Sequence, residues 1–176
     1  MTIPNLITIA RLFLVPLIIV AIVNGQWALA FAGFVVAGVS DAVDGYLARH
    51  CGMASELGAW LDPLADKALI VSIYVTLAIV GAIPVWLVVI VAARDIMIVA
   101  AVILSWLLHR PLAIRPFVVS KLNTAAQIAF AALALGSRAF GLEPGSIATL
   151  GHGVVALLTL GSMAAYLAFW LRHMTR

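Results

Sequence analysis

Charge is what this chain has least of. Asp, Glu, Lys and Arg make up 10% of its 176 residues, against 65% hydrophobic residues, where soluble domains carry about 25% charged residues. Mean hydropathy is +1.20. This deficit excludes an ordinary soluble surface, and an integral membrane protein is expected. The length suits one compact helical unit, a single domain over residues 1–176, with no separate soluble domain. A lone cysteine, Cys51, excludes an internal disulfide framework. The formal net charge of +3 is too small to point to a nucleic-acid partner. In a membrane protein it speaks to topology instead. No Arg- and Ser-rich transit segment precedes the first apolar stretch, and nothing like a cleavage site follows it, so a complete bacterial gene product is expected. There is no internal repeat and no low-complexity tract.

Long apolar runs are what the chain has in excess. A membrane-spanning helix needs about 20 apolar residues. Six such stretches lie at roughly 4–23, 27–48, 61–82, 84–108, 117–139 and 146–171. Asn24-Gly25-Gln26, the stretch from His50 to Trp60, Gly81 to Pro84, His109 to Pro116, and Gly136 to Gly145 separate them. The predicted fold is all-α, with six transmembrane helices. An even number of spans puts both termini on one side. Arg49, Arg110, Arg115, Arg172 and Arg176 fall on that side, and Arg11 and Lys121 lie toward it inside helices. The opposite loops offer only Arg138, with Glu143 nearby. The positive-inside rule then places both termini in the cytoplasm.

Acids are scarce but concentrated. The chain holds seven Asp and Glu, and Asp41, Asp44, Asp62 and Asp66 are four of them. Asp41 and Asp44 are three apart, and Asp62 and Asp66 are four apart, so each pair shares a helical face. A short loop joins the two helices, which makes them antiparallel neighbours whose acidic faces converge. An Asp at the centre of a membrane helix costs roughly 2.5–3.5 kcal/mol. Four of them need a positive partner. Hard oxygen ligands select Mg²⁺ or Mn²⁺, and two divalent ions balance four carboxylates. Paired ions about 3.5–4 Å apart suit displacement at phosphorus. Gly45 and Gly58 remove side chains beside the site, letting a backbone or ligand come close. Arg49 stands one turn past Gly45, where it can pair with a diphosphate, and Lys67 adjoins Asp66. Two plainer readings remain open at this point. Asp62-Pro63 also reads as an N-cap followed by proline at the first helical position. Asp41 and Asp44 also read as ion-pathway residues of a small cation transporter, although such a pathway gains nothing from an arginine at its acidic site.

The acidic stretch resembles the signature of the CDP-alcohol phosphotransferase family, Asp-x2-Asp-Gly-x2-Ala-Arg-x8-Gly-x3-Asp-x3-Asp. Every fixed position matches: Asp41, Asp44, Gly45, Ala48, Arg49, Gly58, Asp62 and Asp66. The resemblance implies a membrane enzyme that moves a phosphatidyl or similar group from a CDP-alcohol to a hydroxyl and releases CMP. It implies that Asp41, Asp44, Asp62 and Asp66 hold two divalent cations, Mg²⁺ or Mn²⁺, and that Asp66 is also the general base. Gly45, Arg49, Ser55 and Gly58 would contact the CDP-diacylglycerol headgroup. Asn5 and Thr8 resemble the N-terminal element that closes over the nucleotide, although a simple helix-start cap fits them as well.

Two bacterial branches of the family share Ile-Pro-Asn near the start and Asp-Pro-Leu-Ala-Asp-Lys after the glycine. One transfers to glycerol 3-phosphate and the other to phosphatidylglycerol, forming cardiolipin. Arg94-Asp95-Ile96-Met97 and Ser120-Lys121-Leu122-Asn123-Thr124 resemble the cardiolipin-forming pattern. Asn123 stands where the other branch has a second lysine. A phosphomonoester carries about −1.5 to −2 charge, whereas phosphatidylglycerol is a monoanionic diester, so one cation fewer suits the lipid acceptor. Asn123 also reads as a bond across helices. Lys67, Arg94, Arg115, Lys121 and Asn123 are the candidate acceptor-binding residues, with Arg115 and Lys121 also suited to anionic lipid. The resemblance further implies a homodimer in the bacterial inner membrane, with its site facing the cytoplasm.

Overall fold

The computed structural model describes residues 3–50, 56–108, 118–143 and 145–174, with side chains described outside 3–5, 47–50, 56–64 and 102. The described residues form six helices and no strand. These are α1 (Ile3–Val23), α2 (Trp27–His50), α3 (Glu56–Ile79), α4 (Val85–Leu107), α5 (Val118–Ala139) and α6 (Gly145–Met174). Helices satisfy every backbone group within the segment, which is the requirement inside a bilayer. At about 1.5 Å per residue, lengths of 21 to 30 residues reach across a hydrocarbon core. Five of the six are long and apolar enough to cross a membrane. The sixth, α3, carries Asp62, Asp66 and Lys67 in its first half and a strongly apolar second half. The chain is a multi-pass membrane protein. Its surface agrees: Phe13, Leu17, Leu29, Ile79, Val89, Ile96, Leu150 and Leu157 are all exposed, as lipid-facing side chains are.

One boundary departs from the sequence expectation. Apolarity places the start of the third helix near Leu61, and the plainer reading of Asp62-Pro63 makes Asp62 a cap there. Instead α2 runs through His50 and α3 begins at Glu56. Asp62-Pro63 therefore lies within the helix, and the N-cap reading of Asp62 is overturned. The acidic and polar first turns of α3 are helical despite lying outside any apolar run.

The chain divides into two compact units. One comprises residues 1–83 and 131–144, and the other residues 84–130 and 145–176. In the first unit, α1 packs against both α2 and α3. Its core is built from Ile18 and Ile22 of α1, Ala30, Phe34 and Ala37 of α2, and Ile73, Tyr74 and Leu77 of α3. Ala30, Gly33 and Ala37 form a small-residue stripe that lets helix backbones approach, the device membrane helices use to pack. A Cβ on Gly33 would stand 2.9 Å from Ile18 Cγ1. Tight turns follow α1 and α3. At each, a glycine takes a left-handed conformation, Gly25 at φ 71° and Gly81 at φ 70°. The following amide then reaches back, Gln26 to the Ala21 carbonyl at 2.8 Å and Ala82 to the Leu77 carbonyl at 2.7 Å, satisfying helix-end acceptors.

The second unit contains α4, the first part of α5, and α6, with α4 packed on α6. Leu87, Val91, Phe130 and Val155 form its apolar core. Polar side chains tie the same helices together. Thr159 donates to Asn123 Oδ1 at 2.8 Å, and Trp170 Nε1 donates to Ser105 Oγ at 3.0 Å. Such bonds average about 0.6 kcal/mol in membrane bundles. They act mainly to choose register.

Candidate active site

Helical periodicity puts Asp41 and Asp44 on one face of α2, and α3 delivers Asp66 to the same place. The element that joins them is α1. Arg11, 1% exposed, points its guanidinium into the acidic cluster. Its Nη1 lies 2.8 Å from Asp41 Oδ1 and 2.7 Å from Asp66 Oδ1, and its Nη2 lies 2.5 Å from Asp44 Oδ2. Thr8, one turn earlier and fully buried, donates to the same Asp44 oxygen at 3.4 Å. Asp44 is buried, whereas the side chains of Asp41 and Asp66 are 46% and 47% exposed. The cluster thus has a closed floor, formed by Thr8, Arg11 and Asp44, and an open rim, formed by Asp41 and Asp66. Gly45 adjoins Asp44 at the cluster, and Lys67 is exposed next to Asp66.

Asp62 lies one turn before Asp66 on α3, Gly58 one turn before that, and Arg49 in the last turn of α2. Asn5 opens α1. The side chains of Asn5, Arg49, Gly58 and Asp62 fall outside the described set, and Ser55 and Arg115 fall outside the described residues altogether.

The donor set fits a divalent cation in chemistry. Three carboxylates from two helices already close around one cationic nitrogen fork, so the site is built to hold positive charge. Three carboxylates face one guanidinium, so these four groups together carry a net excess of negative charge, before Asp62 is counted. With the guanidinium between them, the described carboxylates do not by themselves close into a bare cage of metal-ligand type.

Sequence reasoning misses Arg11, which it takes only as a marker of topology. A signal was present. An arginine inside an apolar helix must find an anionic partner, and the chain's acids are concentrated in one motif.

A second polar cluster lies in the other unit. Arg94, 4% exposed, donates from Nη1 to Asp95 Oδ1 at 2.7 Å, from Nη2 to Ser120 Oγ, and from Nε and Nη2 to Ser162 Oγ at 3.2 and 3.0 Å. The Tyr166 ring stacks against it, 5.6 Å from ring centroid to guanidinium carbon. Helices α4, α5 and α6 thereby meet at one side chain. Asn123, fully buried, bonds to Thr159 across the α5–α6 contact, which is the cross-helix role that its sequence context also allowed. Its Nδ2 has no hydrogen-bond partner among the described residues. Lys121 stands exposed in the first turn of α5. Sequence alone did not single out Ser162, Thr159 or Tyr166, because single hydroxyls in an apolar helix carry no spacing signal.

An all-helical membrane protein with a carboxylate cluster on its second and third helices defines a class, and the comparisons agree with it. The sequence profile of the CDP-alcohol phosphatidyltransferase family matches residues 1–171, and the chain belongs to this family. Among its relatives, a probable cardiolipin synthase (CMP-forming) of Drosophila melanogaster is 35% identical over 153 residues, covering 78% of this chain and 48% of the relative. The cardiolipin synthase (CMP-forming) of Homo sapiens is 34% identical over 157 residues, covering 79% of this chain and 52% of the relative. A chloroplastic CDP-diacylglycerol–glycerol-3-phosphate 3-phosphatidyltransferase of Oryza sativa subsp. japonica is 32% identical over 185 residues, covering 94% of this chain and 56% of the relative. The chain spans about half the length of the curated relatives it matches.

Proposed function

We propose that this protein transfers a phosphatidyl group from CDP-diacylglycerol to the hydroxyl of phosphatidylglycerol, forming cardiolipin and CMP. The observation that carries the transferase reading is the convergence of Asp41, Asp44 and Asp66 at one half-open cluster, within a family whose members act on CDP-alcohols. The two helical units act together as one transferase domain. Asp41, Asp44, Asp62 and Asp66 hold two divalent cations, Mg²⁺ or Mn²⁺. When bound, these supply charge stabilisation to the phosphoryl oxygens and the leaving phosphate. Asp66, on the open rim, accepts the proton of the acceptor hydroxyl. The oxygen so activated forms a bond to the β-phosphorus as the bond from that phosphorus to the CMP oxygen breaks. Arg49 pairs with the diphosphate, while Gly45 and Gly58 leave room for it. Asn5 and Ser55 complete the nucleotide side, and Thr8 joins them only if its bond to Asp44 in the closed floor yields. The diacylglycerol tails of the donor stay in the bilayer.

The acceptor assignment rests on the second unit and on the two cardiolipin-forming relatives. Lys121 is the exposed cation at the start of α5, and Asn123 two residues on adds no charge. Lys67 and Arg115 are further candidates for acceptor phosphate, and Arg94 joins them only if its present partners yield. The rice relative supports the runner-up, glycerol 3-phosphate. Purified protein with CDP-diacylglycerol and Mg²⁺ or Mn²⁺, offered each acceptor, decides between them by mass spectrometry. Cardiolipin from phosphatidylglycerol is expected. Formation of phosphatidylglycerophosphate without cardiolipin replaces this reading by the runner-up. Size-exclusion chromatography with light scattering is expected to show a homodimer; a monomer in several mild detergents contradicts that part.

Orientation in a bacterial inner membrane follows from the arginine asymmetry. Met1, the His50–Trp60 stretch, the His109–Pro116 stretch and Arg176 are cytoplasmic, as is the opening of the site. Single-cysteine labelling in a Cys51→Ser background reads this directly. A cysteine at Glu143 is expected to react only from the outer side, and exclusive labelling from the cytoplasm reverses the assignment.

A further inference from the structure

Arg11 has no place in the reaction as set out above, yet its guanidinium reaches three carboxylates of the site. It is 1% exposed, so its charge is not shared with bulk water. Guanidinium does not lose its proton in proteins, so the charge is permanent. It takes one oxygen each from Asp41, Asp44 and Asp66, at 2.8, 2.5 and 2.7 Å. Carboxylate oxygens of this kind are what a divalent cation needs, so guanidinium and metal draw on the same donors. This consideration rests on the reading that the cluster holds divalent cations.

The charges make the consequence definite. Asp41, Asp44, Asp62 and Asp66 carry four formal negative charges, and two divalent ions alone neutralise them. With Arg11 held in the cluster by its helix, two divalent ions leave the four carboxylates and Arg11 with one net positive charge, before Arg49 and Lys67 are counted. A diphosphate brings negative charge back. We propose that Arg11 couples metal to substrate: it weakens divalent-cation binding to the free protein and makes tight binding conditional on a nucleoside diphosphate group. Thr8 supports this geometry by holding Asp44 from the side, so that the Arg11–Asp44 contact stays fixed when the half-exposed carboxylates rearrange. Arg11 is a positioning residue in this scheme. It acts through the carboxylates.

The test is metal affinity. Mn²⁺ binding to detergent-purified protein is followed by the electron paramagnetic resonance of free Mn²⁺, with and without cytidine diphosphate. The native protein is expected to bind Mn²⁺ about tenfold more tightly with cytidine diphosphate present, within the usual range of site-to-site coupling. Arg11→Gln is expected to tighten Mn²⁺ binding in the absence of nucleotide and to bring the ratio close to one. Arg11→Lys keeps a cation and is expected to keep most of the ratio. A purely structural arginine gives the opposite direction, with weaker Mn²⁺ binding in both variants. A monodisperse Arg11→Gln with unchanged or weaker Mn²⁺ binding overturns the proposal. If Arg11→Gln does not fold, loss of the ratio in Arg11→Lys overturns it and retention supports it. Mn²⁺ binding that is absent from the native protein, or indifferent to Asp41→Asn, instead overturns the metal reading on which the proposal rests.

Discussion

Asp66→Asn is expected to abolish turnover, lowering kcat by about 10²–10⁴-fold, the range of a lost general base, with further loss where a metal ligand is weakened. Asp66 lies on α3 one turn past Asp62, and its side chain is 47% exposed on the open rim of the cluster. It is open enough to meet an acceptor hydroxyl, whereas Asp44 is closed off. The amide retains an oxygen for Arg11 Nη1, now 2.7 Å from Asp66 Oδ1, so the helices should stay assembled. What the amide cannot do is take up a proton. CDP-diacylglycerol binding should therefore remain measurable while CMP release stops. Asp41→Asn, by contrast, should weaken metal and nucleotide together. Near-normal CMP release by Asp66→Asn, or full activity in chelator, removes the assignment.

Arg94→Met should be strongly destabilising in the second unit, costing about 3 kcal/mol, the low end of the range for removing one partner of a buried ion pair, because Asp95 is only part-buried. Methionine fills much of the volume but ends the bonds to Asp95, Ser120 and Ser162 together. It leaves the Asp95 carboxylate, 13% exposed, without its guanidinium. Arg94→Lys should recover part of the loss, because a single ammonium replaces the charge but not the planar fork that serves three helices. Thermal unfolding in one detergent compares the three proteins. An unchanged midpoint in Arg94→Met, with loss confined to acceptor use, would return Arg94 to the acceptor site and out of the scaffold.

The helices were readable from the chain because each depends on a local rule. A run of about 20 apolar residues has to be a helix in lipid, and α1, α2, α4, α5 and α6 lie close to the expected stretches. Gly25 and Gly81 mark their turns for an equally local reason. Hydropathy misses the start of α3, because it is silent once the sequence turns polar. Its first turns, Glu56 onward, are helical without being apolar. The candidate site was readable in part, since Asp41 and Asp44 share a face by spacing alone, as do the positions of Asp62 and Asp66.

Which residues belong to which cluster is another matter. Arg11 sits 33 positions from Asp44 and 55 from Asp66, and no periodicity links them. Only the packing of α1 against both α2 and α3 brings its guanidinium among the carboxylates. Likewise, Asn123 looked like a choice of acceptor in the sequence. Burial against Thr159, 36 positions away, shows that it also holds α5 to α6. Sequence by itself determined the class of protein, the helices apart from the start of α3, and the acidic motif, because these follow from composition and short-range spacing. The tertiary structure alone decided where the buried positive charges find their partners, because that depends on which helices pack together.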